Sequence, residues 1–348
     1  VDRYFSLYIL IKNFFNLGFA LKYISIRKEF LNYCNIDGVD VKPVIDLYMW
    51  ETVLRNDFYY NSFIDSLRRI NKITNIKKYV NYGEFGLPSR SIVIAANEND
   101  REVIWMQHGI VLPWELNFVY CSSEIVDNNN NINTNFIEYP PVSDKYIVWG
   151  KWLQNILLNS GYPKDKIYVV GSHSHDYLKP IKRKINLDKN KESKIILICP
   201  SVSYYEIVLF SDFALAIKNK FKTHEVILKL HPRKIKSIET EQRIKECIDN
   251  GIKVSSDAIS KYYNLADLII VGASTICIEF SYLNKNVINF SSRYANRFTP
   301  PWVDENNSIK NNQELFDNIA HFKKDKIQYN HYIGEPGNAK EEILKILN

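Results

Sequence analysis

The sequence predicts a two-domain α/β protein with a parallel sheet in each domain, and three observations carry that expectation. Short apolar runs of strand length alternate with longer helical stretches. The 348 residues exceed one ordinary domain. Gly and Pro, at 12 each, are too few for a sandwich of many short strands joined by Gly/Pro turns.

Taken in order, residues 1 to about 75 read as helical, since Phe63, Ile64, Leu67 and Ile70 recur at helix spacing. The runs Ser91–Ala96, Glu102–Met106 and Lys145–Trp149 each have the length of a buried strand, and Ile167–Val170 reads as a short one. Asn128–Asn133 is an Asn-rich loop. Leu178–Ser193, rich in Lys, Asn and Asp, reads as an exposed connection, so the expected domains are 1–177 and 178–348.

The second domain alternates cleanly. Strands are expected at Lys194–Cys199, Glu225–Leu230, Lys253–Ser255, Leu268–Val271 and Asn286–Phe290. Helices are expected at Tyr204–Phe221, Ile238–Asp249, Ile259–Leu265, Ile276–Leu283, Gln313–Phe322 and Ala339–Leu347. Right-handed crossovers in such a domain put the strand C-termini on one edge, where ligands bind.

Charge and cysteine narrow the function classes. Lys plus Arg is 45 against 39 Asp plus Glu, a net +6 that is too weak to indicate a nucleic-acid partner and that suits anionic ligands. The five cysteines are scattered without a C-x-x-C pair, which predicts free thiols and a reducing, cytoplasmic compartment, with Cys199 and Cys277 buried. Tyr4–Ile26 is apolar but interrupted by Lys12 and Lys22, too short for a span. It reads as a packed helix or, alternatively, as one lying peripherally on the inner face of the cytoplasmic membrane.

Candidate site residues cluster at strand ends. His231-Pro232-Arg233 follows the strand at 225–230 and offers a hydrogen-bonding ring, a fixed turn and a planar cation for phosphate. Gly272-Ala273-Ser274-Thr275 follows the next buried strand, with small residues, hydroxyls and a helix start suited to a phosphate; Glu279 lies one turn on, within reach of a ribose hydroxyl or solvated. Gln107-His108-Gly109 ends another strand, with His108 a candidate general base. Gly171-Ser172-His173 with His175 and Asp176 ends a fourth, and here metal ligation is a minor reading because nothing else sits at ligand spacing. Of the acidic residues Glu84, Glu98, Asp100 and Glu102, Glu84 is best placed as a catalytic carboxylate. No D-x-D, G-x-G-x-x-G, G-x-x-x-x-G-K-S/T or G-x-S-x-G pattern occurs, which argues against metal-bridged sugar-nucleotide, dinucleotide, P-loop and hydrolase-elbow sites. No cofactor or metal is expected.

Four segments occur in order: WMQHGI at 105–110, YIVWGKWLQNILLNSGYPKDKIYVVGS at 146–172, LKLHPR at 228–233 and ADLIIVGASTICIEF at 266–280. Together they resemble GT-B glycosyltransferases of bacterial surface polysaccharide synthesis. Those named are the CDP-glycerol glycerophosphotransferases of teichoic acid synthesis and the capsule and lipopolysaccharide transferases that use CMP-activated keto sugars. The resemblance spans roughly residues 79–290. It implies two Rossmann-like domains with parallel sheets facing across a cleft, a nucleotide-activated donor and a glycan or lipid-linked glycan acceptor. It implies that His231 and Pro232 hold the nucleotide, that Ser274 and Thr275 hold the donor phosphate, and that His108 lies on the acceptor side. Gly171 and Ser172 fall in the matched stretch and join the donor set. The glycerophosphotransferases usually carry an acidic residue and serines where this chain has Gly272 to Thr275, which leans the expectation toward a CMP-type sugar donor. The alternatives are a CDP-glycerol-type transferase, a sugar-nucleotide epimerase of the same fold and a non-catalytic nucleotide-binding protein of envelope assembly. A GT-B acceptor domain usually starts with a strand, so the helical start and Val1 suggest a missing natural start or an abbreviated first domain.

Overall fold

A computed structural model describes residues 7–14, 18–36, 39–51, 57–82, 87–111, 122–126, 132, 139–183, 194–201, 203–232, 237–272, 274–289, 312–321 and 329–348. The chain divides into two compact units, the first comprising Val1–Gly109, Glu115–Val148 and Gln154–Tyr168, the second Ile110–Trp114, Trp149–Leu153 and Val169–Asn348.

The early elements are α1 (Leu7–Phe14), α2 (Gly18–Asn32), the antiparallel pair β1 (Asn35–Ile36) and β2 (Val39–Asp40), α3 (Lys42–Glu51) and α4 (Asp57–Ile73). The start is helical as expected, apart from the small strand pair. Helices α2 and α3 are clasped by Asp46, which accepts hydrogen bonds from Tyr23 Oη at 2.7 Å and from the Arg27 guanidinium. Those bonds, Arg27 first, hold the Asp46 carboxyl down at about 2. A depressed carboxyl contributes its stability above the unfolded value, about 3.9, and loses it as pH falls through the folded one. The clasp is therefore expected to be intact at pH 4 and to open between about pH 4 and 2, checked by NMR titration of the Asp46 carboxyl. A titration midpoint near the ordinary value would show that the clasp does not form.

Next come β3 (Lys78–Asn81), α5 (Leu87–Asn97), β4 (Glu102–Met106), α6 (Ser122–Ile125), β5 (Lys145–Val148), α7 (Lys151–Asn159) and β6 (Ile167–Val169). Strands β3, β4, β5 and β6 form one sheet in that order, with β3–β4 and β4–β5 parallel. Ser91–Ala96, expected as a strand, is instead the body of α5. Six apolar residues in a row carry no period that separates a strand from a helix buried on two sides. Here Ala95 packs with Leu67 and Ile70 of α4, while Val93 and Ala96 pack against Val103 of β4. Pro88 in the first turn is the signal that favoured a helix. The strand in its place is Lys78–Asn81. Glu98 and Glu102, weighed as catalytic acids, are in ion pairs, Glu98 with Arg68 and Glu102 with Lys145 and Lys78.

The second unit carries α8 (Leu178–Lys182), β7 (Ile195–Cys199), α9 (Tyr204–Lys220), β8 (Glu225–Lys229), α10 (Ile238–Asp249), β9 (Lys253–Ser255), β10 (Leu268–Val271), α11 (Ile276–Tyr282), β11 (Asn286–Asn289), α12 (Asn312–His321), α13 (Tyr329–Ile333) and α14 (Ala339–Leu347). Its five strands run parallel in the order β11-β10-β7-β8-β9. Both faces are covered, so the strands read as continuous apolar runs. On one face Leu197, Ile227 and Ile269 pack with Tyr263, Ile278 and Phe280; on the other Ile196, Leu228 and Ile270 pack with Phe210, Phe213 and Ile217. Each sheet uses the same edge device. Asp144, just before β5, accepts from Val103 N at 2.7 Å, and Asp267, just before β10, accepts from Ile195 N at 2.9 Å.

Leu178, expected to open an exposed connection, instead starts α8 and is fully buried in the core of this unit. Residues 184–193 of that stretch lie outside the described residues. Cys199 and Cys277 are buried free thiols, as expected, and burial pushes Cys199 up to about 12. No helix among the described residues is long and apolar enough to cross a membrane.

Candidate donor site at the sheet edge of the second unit

The chain order places the topological switch point of the second sheet between β7 and β10. From β7 the chain steps outward to β8 and β9, then returns to the other side of β7 as β10. Helix α9, after β7, covers one face through Phe210, Phe213 and Ile217, whereas α11, after β10, covers the other through Ile278 and Phe280. The loops leaving β7 and β10 thus part in opposite directions and leave a crevice at the strand C-termini, where open α/β sheets take ligands.

Two of the sequence-selected segments border that edge. His231 and Pro232 follow β8, His231 half-buried and Pro232 exposed; Arg233 lies outside the described residues. Gly272, Ser274 and Thr275 leave β10. Ser274 N donates to the Gly272 carbonyl at 2.8 Å, closing a tight turn. Thr275 is the N-cap of α11 with no capping bond from its side chain.

Gly272 has a neighbour the sequence did not reveal. A Cβ there would overlap the carboxylate of Glu206, which lies against it. The space read as room for a ligand is occupied by that side chain. Glu206 stands in the first turn of α9, is 4% exposed, and accepts from Ser201 N at 2.7 Å. The spacing Ser203-x-x-Glu206 is the available signal, a capping-box pattern just after a strand.

Glu279 is neither solvated nor at the surface. It is 8% exposed and anchors a buried polar network. Tyr263 Oη donates to Glu279 Oε2 at 2.5 Å, and Tyr177 Oη lies 2.8 Å from Tyr263 Oη. Burial first, then the Glu279 carboxylate, raises both phenols, Tyr177 to about 12, so both remain hydrogen-bond donors at neutral pH. His175 Nε2 stands 3.7 Å from Glu279 Oε1, while His175 Nδ1 is 2.6 Å from Ser172 Oγ. The structure thus links Ser172 to Glu279 through His175, a partner not selected for the donor set.

Ser172 and Gly171 face inward rather than toward a ligand. Ser172 is fully buried and its N–H donates to the Ile333 carbonyl at 2.8 Å; Gly171, at φ +90°, lies against Gly334. Asp176, weighed with the histidines as a metal ligand, accepts from Gly337 N at 2.6 Å, Ala339 N at 3.3 Å and Lys340 N at 3.1 Å. It thereby caps α14. Among the described residues no group of three or more His, Cys, Asp or Glu side chains is placed to hold a metal.

In the first unit His108 follows β4 and is exposed. Its Nδ1 lies 2.8 Å from the Tyr82 carbonyl oxygen, which only accepts. In the neutral ring Nδ1 therefore carries the proton and Nε2 keeps its lone pair, the tautomer a general base needs. Gln107 Nε2 donates to the Gly109 carbonyl at 2.8 Å, and a Cβ on Gly109 would meet nothing within 4 Å. Glu84 lies outside the described residues, as do most of Asn128–Asn133.

The parallel sheets, and the switch-point crevice of the second one, are those of a GT-B-like α/β fold. Among the solved structures that share the fold are the following two. The UDP-GlcNAc 2-epimerase from Neisseria meningitidis is 16% identical, with 83% of this chain and 81% of that chain covered at a TM-score of 0.55. The putative UDP-N-acetylglucosamine 2-epimerase from Listeria monocytogenes is 13% identical, with 83% and 78% covered at 0.52. No curated protein matches the sequence. The chain belongs to the CDP-Glycerol:Poly(glycerophosphate) glycerophosphotransferase family, which it matches over residues 149–332.

Proposed function

We propose that this transferase moves a glycerophosphoryl group from CDP-glycerol to a hydroxyl of a surface-glycan or polyol-phosphate acceptor. The 272–275 turn leans toward a CMP-activated sugar; the family match over 149–332 supports the CDP-glycerol alternative, which we adopt. The observation that carries the reading is the convergence of the His231-Pro232 turn and the Gly272–Thr275 turn on the ligand edge of the matched unit.

In this reading His231 and Pro232 hold the cytidine nucleotide. The Ser274 and Thr275 hydroxyls and Arg233 take the diphosphate. The acceptor hydroxyl oxygen attacks the glycerol-bearing phosphorus. The new P–O bond forms as the bond to the CMP oxygen breaks, CMP leaves, and the hydroxyl proton passes to a general base, a role for which His108 has the right tautomer. Donors aimed at the leaving phosphate stabilise the charge that develops there.

The test is binding, then turnover. CMP and CDP are expected to raise the melting temperature where UDP and GDP do not, and His231→Ala is expected to weaken CMP at least tenfold. CDP-glycerol offered beside CMP-keto sugars then separates the two donor types. Release of CMP from a keto sugar alone would replace the glycerophosphoryl reading with sugar transfer, and no stabilisation by any nucleotide would remove the enzyme reading.

A further inference from the structure

We propose that Lys229, a residue outside the motif-derived site, is the buried counter-ion of the donor's phosphate. The proposal rests on the donor reading above and adds to it a named cation.

Lys229 is the last residue of β8, two before His231. Ile198 pairs with Leu228 in the parallel register of β7 and β8, so the next position sets Lys229 beside Cys199, the last residue of β7. The side chain therefore stands at the ligand edge, one strand from the switch point, on the face that α11 covers. It is 4% exposed.

Its bonding is incomplete for an ammonium. Nζ carries three N–H donors. Among the described residues it has one acceptor, the Leu230 carbonyl at 2.6 Å, and no carboxylate within ion-pair distance. The acid with the nearest influence, Asp257, is committed to Lys261 at 3.1 Å. Burial pushes the Lys229 ammonium below the ordinary lysine value. A buried cation without a counter-ion is costly, and a core position next to Cys199 would be served better by an apolar side chain. The cost is offset when an anion enters the crevice and takes the open N–H groups. A phosphate ester is the anion this family's donor brings there.

A lysine kept only to brace the Leu230 carbonyl would act on the geometry of the turn and so on every ligand equally. A phosphate counter-ion acts on the charged part alone. Calorimetric titration of cytidine, CMP and inorganic pyrophosphate into the wild type, Lys229→Met and Lys229→Gln separates the two. The expected result is a loss of at least tenfold for CMP and pyrophosphate in both variants, unchanged affinity for cytidine, and a ligand-free melting temperature no lower than wild type. Wild-type CMP affinity in a folded variant would overturn the proposal, as would equal losses for CMP and cytidine. Failure of the wild type to bind any of the three would overturn the donor reading and this proposal together. On the wild-type chain, lysine-selective NMR gives a second readout that needs no variant. The Lys229 titration is expected to move to higher pH when CMP is added, and an unmoved titration also overturns the assignment.

Discussion

Gly334→Ala is expected to destabilise the second unit by about 2–4 kcal/mol, while Gly251→Ala costs about 1–2 kcal/mol. Both glycines sit at positive φ, +67° and +74°, where a side chain is strained. They differ in surroundings. A Cβ on Gly251 would meet nothing within 4 Å, whereas one on Gly334 would stand 2.7 Å from the Trp149 carbonyl oxygen and 2.8 Å from Gly171 Cα. Gly334 closes α13 with its N–H on the Asn330 carbonyl at 3.1 Å. Gly150 belongs to the same junction, because a Cβ there would overlap the His331 carbonyl oxygen. These neighbours are backbone and cannot swing aside, so the strain adds to the φ penalty. The measurement is hydrogen exchange of second-unit amides in each variant, which avoids assuming that both units unfold together. Equal losses in the two variants would show that the close approach contributes nothing.

Glu279→Ala is expected to cost about 3 kcal/mol and to weaken CMP binding with it. The substitution leaves the buried Tyr263–Tyr177 phenol pair one acceptor short and removes the carboxylate facing His175. An orphaned buried polar group costs about 1–3 kcal/mol, more where a charged partner was lost. Because Glu279 lies one turn into α11, relaxation of that helix is transmitted to Ser274 and Thr275 at its start. Glu279→Gln keeps an acceptor for Tyr263 and is expected to lose about 1 kcal/mol or less with CMP affinity within threefold of wild type. If Glu279 instead binds a ribose hydroxyl directly, Glu279→Ala lowers CMP affinity without a matching loss of stability. Thermal unfolding and CMP titration on the same samples decide between the two.

A lysine in the core at Lys229 and a carboxylate pressed on Gly272 at Glu206 both stand where an apolar core would be more stable. Both lie at the strand C-terminal edge, where, under the proposed donor reading, binding rather than stability sets the residue. The two charges have opposite signs. An ammonium suits phosphate, while a carboxylate can accept hydrogen bonds from hydroxyls and repels phosphate.

The strands of the second unit were legible because each is a short apolar run bounded by polar residues and buried on both faces. Glu225–Lys229, Lys253–Ser255 and Leu268–Val271 lie within a residue of their expected limits. Ser91–Ala96 was not legible as a helix, because burial on two sides erases the 3.6-residue period that announces one. His108, His231 and the 272–275 turn could be selected because chemistry at strand ends leaves a local pattern.

The remainder was set by contacts between distant parts of the chain. Tyr263 and Tyr177 reach Glu279 across 16 and 102 residues, and Gly337 reaches Asp176 across 161. The sequence by itself determined the fold class, the alternation of the second unit and the strand-end motifs, since these follow from local hydrophobic period and turn chemistry. The tertiary structure alone decided that Glu279 is buried among phenols, that Glu206 fills the space beside Gly272 and that Lys229 stands in the core with one acceptor among the described residues. Burial and pairing depend on which segments pack together, and no local stretch of sequence encodes its partners.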